Sequence, residues 1–168
     1  PKDKVKKEEV SPTKIFNKTK EGLIYLKEHT TFAFIILLTL LSNLFVMGHA
    51  IVGIPILVKL YLRGTASDFA IVEAFVGLGM LLGTATVYKI GHRFNHGALF
   101  LLGLFIDGAS FCLYYFVETM SQLNFLSCIH GIGIPFLIIS RVSIMQKNIP
   151  EKLLGRIFAI ISVSILSM

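Results

Sequence analysis

Charge is scarce in this sequence. Only 15% of its 168 residues are Asp, Glu, Lys or Arg, where soluble domains carry about 25%. A soluble helical bundle also needs a polar face recurring every turn, and Phe32–Val46 is apolar nearly all round. Cysteine is sparse too. Cys112 and Cys128 both fall in apolar runs, which excludes a disulfide framework and reads them as small buried hydrophobes. A phosphate-binding Gly-x-x-x-x-Gly-Lys loop is missing, so the chain is not itself an ATPase. No nucleophile, base and orienting group stand together, and no enzyme is expected. His92 and His96 are four apart, but no Cys or carboxylate joins them at ligand spacing, so neither a metal nor another cofactor is expected. The leading residues lack the charge, short apolar core and small-residue cleavage site of a signal peptide.

What the sequence does have is long apolar runs. Phe32–Leu57 is 26 residues without a formal charge. Phe69–Tyr88 is 20 residues with Glu73 alone, Ala98–Val117 is 20 with Asp107 alone, and Leu123–Ser140 is 18 with none. About 20 apolar residues in a helix cross the hydrocarbon of a bilayer, and the runs do not alternate as barrel strands do. The hydrophobic fraction of 54% and mean hydropathy of +0.75 agree. The expected fold is an all-α membrane protein, a polytopic transmembrane bundle with spans near 32–57, 69–88, 98–117 and 123–144. A fifth run, 157–168, is too short to cross. The chain opens on Pro1 and closes inside that run, which reads as a fragment cut from a longer membrane protein.

Charge in the links sets the expected orientation. The segment before the first span and every second link after it hold 14 of the 16 Lys and Arg, the other side 2. Short cytoplasmic loops are the basic ones, so the N-terminal segment is expected in the cytoplasm of a multi-pass plasma-membrane protein. The net charge of +6 belongs to those loops, not to a nucleic-acid surface. Residues 1–30 read as a basic linker with an amphipathic helix, and 31–168 as the bundle. Ser11-Pro12 reads as an N-cap and first helical residue. The helix that follows is expected either on the inner membrane surface or packed on another part of the protein. Gly48, Gly53 and Pro55 predict a bend in the first span. Gly79-x-x-x-Gly83 permits close helix contact in the second, and Gly131-Ile-Gly133-Ile-Pro135 predicts a kink in the fourth, for packing or as a gate.

These features resemble the major facilitator superfamily, in particular its macrolide-efflux-like branch of drug exporters. Ile149-Pro150-Glu151-Lys-Leu-Leu-Gly155-Arg156-Ile157-Phe158 is similar to that branch's cytoplasmic turn of proline, polar residues and Gly-Arg-Val-Phe. Tyr88-Lys-Ile-Gly91-His92-Arg93-Phe94-Asn95-His96-Gly97 is similar to the superfamily's Asp-Arg-x-Gly-Arg-Arg loop. Arg93 and Phe94 fit; His92 stands where Asp is usual and Asn95 where Gly is. The resemblance implies that the four spans are helices seven to ten of twelve and that Gly155 and Arg156 begin helix eleven. It implies a proton-coupled exporter of amphipathic small molecules working by alternating access, its N-terminal half missing from this sequence. Its partners would then be substrate, protons, lipid and that other half. The alternative is a membrane-embedded scaffold for an enzyme, or an accessory subunit.

Intramembrane titratable residues are the site candidates. Asp107 sits tenth in a 20-residue run, where an acid costs about 2.5–3.5 kcal/mol on insertion scales, so it carries either a proton or cationic substrate, or a structural polar contact. Glu73 lies nearer an end. Helices seven, eight and ten line the cavity in the resembling family and nine lies outside, which favours Glu73 over Asp107 as proton carrier. His49 and His130 are either packing residues or proton carriers. Asn43, with Ser42 and Thr39, puts polar groups at mid-depth, to line a cavity or to bond between helices. Arg141 closes the fourth apolar run and is expected to snorkel toward the headgroups.

Overall fold

The computed structural model describes residues 12–166. The expected linker Pro1–Val10 and the N-cap Ser11 lie outside the described residues, as does the end of the fifth apolar run. The helices are α1 (Pro12–Glu28), α2 (Thr30–Tyr61), α3 (Ala66–Ile90), α4 (His96–Tyr114), α5 (Met120–Asn148) and α6 (Glu151–Leu166). Among the described residues there is no strand. The helices α2 to α5 are long and apolar enough to cross a membrane, and the protein is an all-α helical membrane bundle.

The spans α2, α3 and α5 run past their apolar stretches, and polar residues cap the starts of α3, α4 and α5. Thr65 opens α3 with a capping box: its hydroxyl accepts from the Asp68 N–H at 3.3 Å, and its own N–H donates to Asp68 Oδ2 at 2.7 Å. Asn95 opens α4 by accepting the Gly97 N–H at 2.8 Å. At α5 the Gln122 side chain accepts the N–H groups of Glu118 and Thr119 at 2.8 and 3.1 Å. These bonds satisfy orphan donors at the helix starts. At its other end α5 continues through Arg141 to Asn148, so Arg141 is half-buried inside a helix and not at its end.

Two compact units make up the described chain, residues 12–40 with 149–166 and residues Leu41–Asn148. In the first, α1 packs on α6. A methyl group at Gly22 would lie 3.1 Å from the Ile160 side chain, Leu26, Ile157 and Ile161 are buried, and the Arg156 guanidinium pairs with the Glu21 carboxylate. Of the two seats expected for the amphipathic helix, this is the one on the protein itself. Its opposite stripe of Lys20, Leu23, Ile24 and Lys27 is exposed. His29 interrupts the helix for one residue, while its backbone still links Tyr25 to Ala33 by hydrogen bonds of 3.0 and 3.3 Å.

In the second unit α5 lies against both α3 and α4. Glycine makes these contacts close. A Cβ on Gly79 would fall inside van der Waals contact with the Cys128 carbonyl, and one on Gly131 with the Val76 carbonyl. On the other side a Cβ at Gly103 would lie 2.9 Å from Phe136. Both helix pairs thus meet backbone to backbone, as membrane helices do where small residues line the seam. One apolar cluster gathers Ile54, Val58, Val72, Tyr114, Val117, Leu123 and Leu126. A second gathers Val87, Leu99 and Phe136.

Around Pro55, where a bend is expected, α2 makes two π-helical turns, His49–Gly53 and Leu57–Tyr61, on either side of Ile54–Ile56. Proline has no N–H to give the preceding turn, and the ladder slips by one residue: the Ile54 N–H reaches the His49 carbonyl and the Leu62 N–H the Leu57 carbonyl. Pro135, by contrast, sits inside an unbroken α5. Cys128 is half-buried, but Cys112 is exposed on the outside of α4, not buried as expected.

Candidate functional site

The buried stripe of α4 reads Gly103, Asp107, Ser110, Tyr114, spaced so that all four share one helical face. The facing stripe of α5 includes Ser127, His130, Gly131 and Gly133. Close approach at Gly103 and Gly133 fixes the antiparallel register of the two helices, and that register brings Asp107 level with His130. The His130 Nδ1 lies 2.9 Å from Asp107 Oδ1, with both side chains over nine-tenths buried. The ring nitrogen is off hydrogen-bond alignment, so this is a close approach and not a hydrogen bond. From α2 the Ser42 hydroxyl donates to the other carboxylate oxygen, Oδ2, at 3.1 Å. A single carboxylate therefore joins three membrane-spanning helices.

Aromatic rings wall this pair on one side. His49 packs edge-on against Phe111 with centroids 4.8 Å apart, and 4.8 Å from the Tyr114 ring. Phe111 in turn meets the His130 ring edge-on at 5.3 Å. The Tyr114 hydroxyl and the Ser127 hydroxyl share a hydrogen bond of 3.2 Å. The outcome is a polar core of Ser42, Asp107, His130, Tyr114 and Ser127 bordered by the half-buried rings of Phe111 and His49.

Chemically, a buried carboxylate beside an imidazole holds one exchangeable proton at little cost in net charge. With the proton on either group the pair is neutral; without it the pair carries one negative charge in a low-dielectric setting. Among the described residues no three His, Cys, Asp or Glu side chains converge to hold a metal ion.

Of the residues singled out from sequence, the fold gathers Asp107, His130 and His49. Asn43 is half-buried on α2. Glu73 stands on an exposed face of α3, although its charge reaches Tyr114, as does that of Asp107. Arg93 is exposed in the α3–α4 link, where its Nε donates to His92 Nε2 at 3.3 Å. Gly155 is exposed with open space around it, and Arg156 is occupied by Glu21 in the other unit. Tyr114, Ser127 and Phe111 were missed from sequence. Helical spacing carries the signal for two of them: Tyr114 is seven residues beyond Asp107 and Ser127 three before His130, each on its partner's face. Comparison of the chain with family models, with curated proteins and with solved structures finds no match.

Proposed function

We propose that the chain is part of a proton-coupled secondary transporter of the major facilitator type, exporting amphipathic small molecules across the plasma membrane by alternating access. The observation that carries this reading is the Asp107–His130 pair, a carboxylate and an imidazole buried together within spans. Ionisable groups at that depth are costly, and where they occur they form proton relays or substrate sites. Asp107 is preferred to Glu73 as the proton carrier because it has a titratable partner and a buried setting, whereas Glu73 is exposed. The charge bias of 14 basic residues against 2 supports a cytoplasmic N-terminal segment. The turn at Gly155-Arg156 and the loop at Arg93 support the major-facilitator assignment, in which a second helical half completes the cavity.

The test is gradient-driven efflux by full-length protein in vesicles, at matched expression. Asp107→Asn keeps the shape and removes the titratable charge, so efflux should fall by about a hundredfold, the lower end of what a positioned proton-transfer group contributes. Substrate binding at fixed pH should survive. Wild-type efflux by Asp107→Asn would remove the pair from the mechanism, and Glu73→Gln then becomes the variant to measure.

A further inference from the structure

Hydroxyls inside membrane helices ordinarily bond back to their own backbone, to the carbonyl four residues earlier. Thr39 donates to the Ile35 carbonyl at 2.8 Å, Thr84 to Met80 at 2.7 Å, Thr86 to Leu82 at 2.7 Å and Ser110 to Ile106 at 2.7 Å. Ser127, bonded to the Tyr114 hydroxyl, is one departure from this habit, and Ser42 is another. Its hydroxyl leaves α2 and donates to Asp107 on α4. An ionised carboxylate oxygen is a stronger acceptor than a peptide carbonyl, and it is the difference in acceptor strength that draws the hydroxyl across.

We infer that Ser42 is the positioning residue of the Asp107–His130 pair, holding the deprotonated carboxylate in place and tying its protonation to the seat of α2 on the bundle. The inference rests on the proposed proton site and adds to it a residue and a linkage. A hydroxyl that donates to a carboxylate oxygen stabilises a charged carboxylate more than a neutral carboxyl, so the bond from Ser42 links the protonation of Asp107 to the place of α2. When Asp107 takes up a proton, its pull on the hydroxyl weakens, and Ser42 is free to turn back to its own helix as Thr84 and Thr86 do. A bond between two spans is thereby exchanged for one within a span. The two π-turns of α2 begin at His49, seven residues further on, and such turns mark places where a helix changes its local winding. The titratable groups around Asp107 are His130 on α5, His49 on α2 and Tyr114 on its own helix, with Glu73 on α3 acting on Tyr114. None of these is altered by a substitution at Ser42.

The experiment follows the carboxyl C=O infrared band of full-length protein in lipid vesicles as pH is varied, with Asp107→Asn used to assign the band. Ser42→Ala should move the midpoint of that band upward by about one pH unit, a tenfold gain in proton affinity. Ser42→Cys, a weaker donor of similar size, should move it the same way by less, and Ser42→Thr should restore it. An assigned band that titrates identically in wild type and both weakened variants would overturn the role of Ser42 while leaving the proton site standing. If no band lost in Asp107→Asn titrates at all, the proton site itself falls, and this inference with it.

Discussion

At the scale of the residue, the question is what Asp107 costs when its partners are disturbed. A buried acceptor left without partners loses about 1–3 kcal/mol, and removal of one member of a buried pair strands the other. Asp107→Ala removes the carboxylate from both His130 and Ser42, so it should lower resistance to denaturant by roughly 1–3 kcal/mol. Asp107→Asn retains an acceptor oxygen for Ser42 and should be far milder. Denaturant titration of both variants in detergent checks this; equal stability of Asp107→Ala and wild type would mean that the pair contributes nothing to the fold. The candidates themselves were legible in the sequence, because Asp107, His130 and His49 are polar exceptions in apolar runs. Their pairing was not. It depends on the α4–α5 register, which is set by contacts at Gly103 and Gly133 that no spacing along one helix reveals. Which of the two acids is buried was not legible either, since spacing along one helix does not show what packs against it.

At the scale of the element, hydropathy located all four spans and missed their ends. The ends depend on single polar residues, Thr65 with Asp68 and Gln122 with Thr119, whose capping bonds extend each helix beyond its apolar run. The π-turns around Pro55 were not legible, since the way a ladder absorbs a missing donor depends on three-dimensional fit. Gly79-x-x-x-Gly83 was read as permitting close contact, and it makes one with α5. Gly77 and Gly79 supply a matched test because they are two residues apart and point to different faces of α3. Around Gly77 there is open space, while Gly79 touches the α5 backbone. Gly77→Ala should be neutral or stabilising by about 0.5–1 kcal/mol, the helical advantage of alanine over glycine. Gly79→Ala must push α5 away and should destabilise by at least as much as overpacking elsewhere, about 1–3 kcal/mol. Unfolding of the two variants in detergent separates them, and identical behaviour would show that the α3–α5 seam is not as close as described.

At the scale of the molecule, the site lies between two apolar layers. Along α4 the order is Leu99, Asp107, then Tyr114, with Val117 in the link beyond; along α5 it is Leu123 and Leu126, His130, then Phe136. The cluster of Val87, Leu99 and Phe136 closes one side of the pair, and the cluster of Ile54, Val58, Val72 and Leu123 closes the other. Asp107 thus has packed apolar side chains on either side of it along the helices. Exposed aromatic residues mark both ends of the unit, Tyr61, Tyr115 and Phe116 at one and Tyr88 and Phe94 at the other, where amphipathic rings favour the headgroup level. Which layer faces the cytoplasm follows from orientation. Basic residues are concentrated on the side of Lys89, Arg93 and Lys147, so the orientation proposed above from the positive-inside bias would put the Val87–Leu99–Phe136 layer toward the cytoplasm. The 29 residues of α5 give a rod of about 43 Å, long enough to carry its ends to opposite surfaces. Single cysteines placed at Lys147 and at Glu118, in a full-length protein whose Cys112 and Cys128 are replaced, should therefore react with an impermeant thiol reagent from opposite sides. Lys147 should label only from the cytoplasm and Glu118 only from outside. Labelling of both from one side would break the four-span topology, and the reverse pattern would keep the spans while turning both layers, and the direction of proton entry, around.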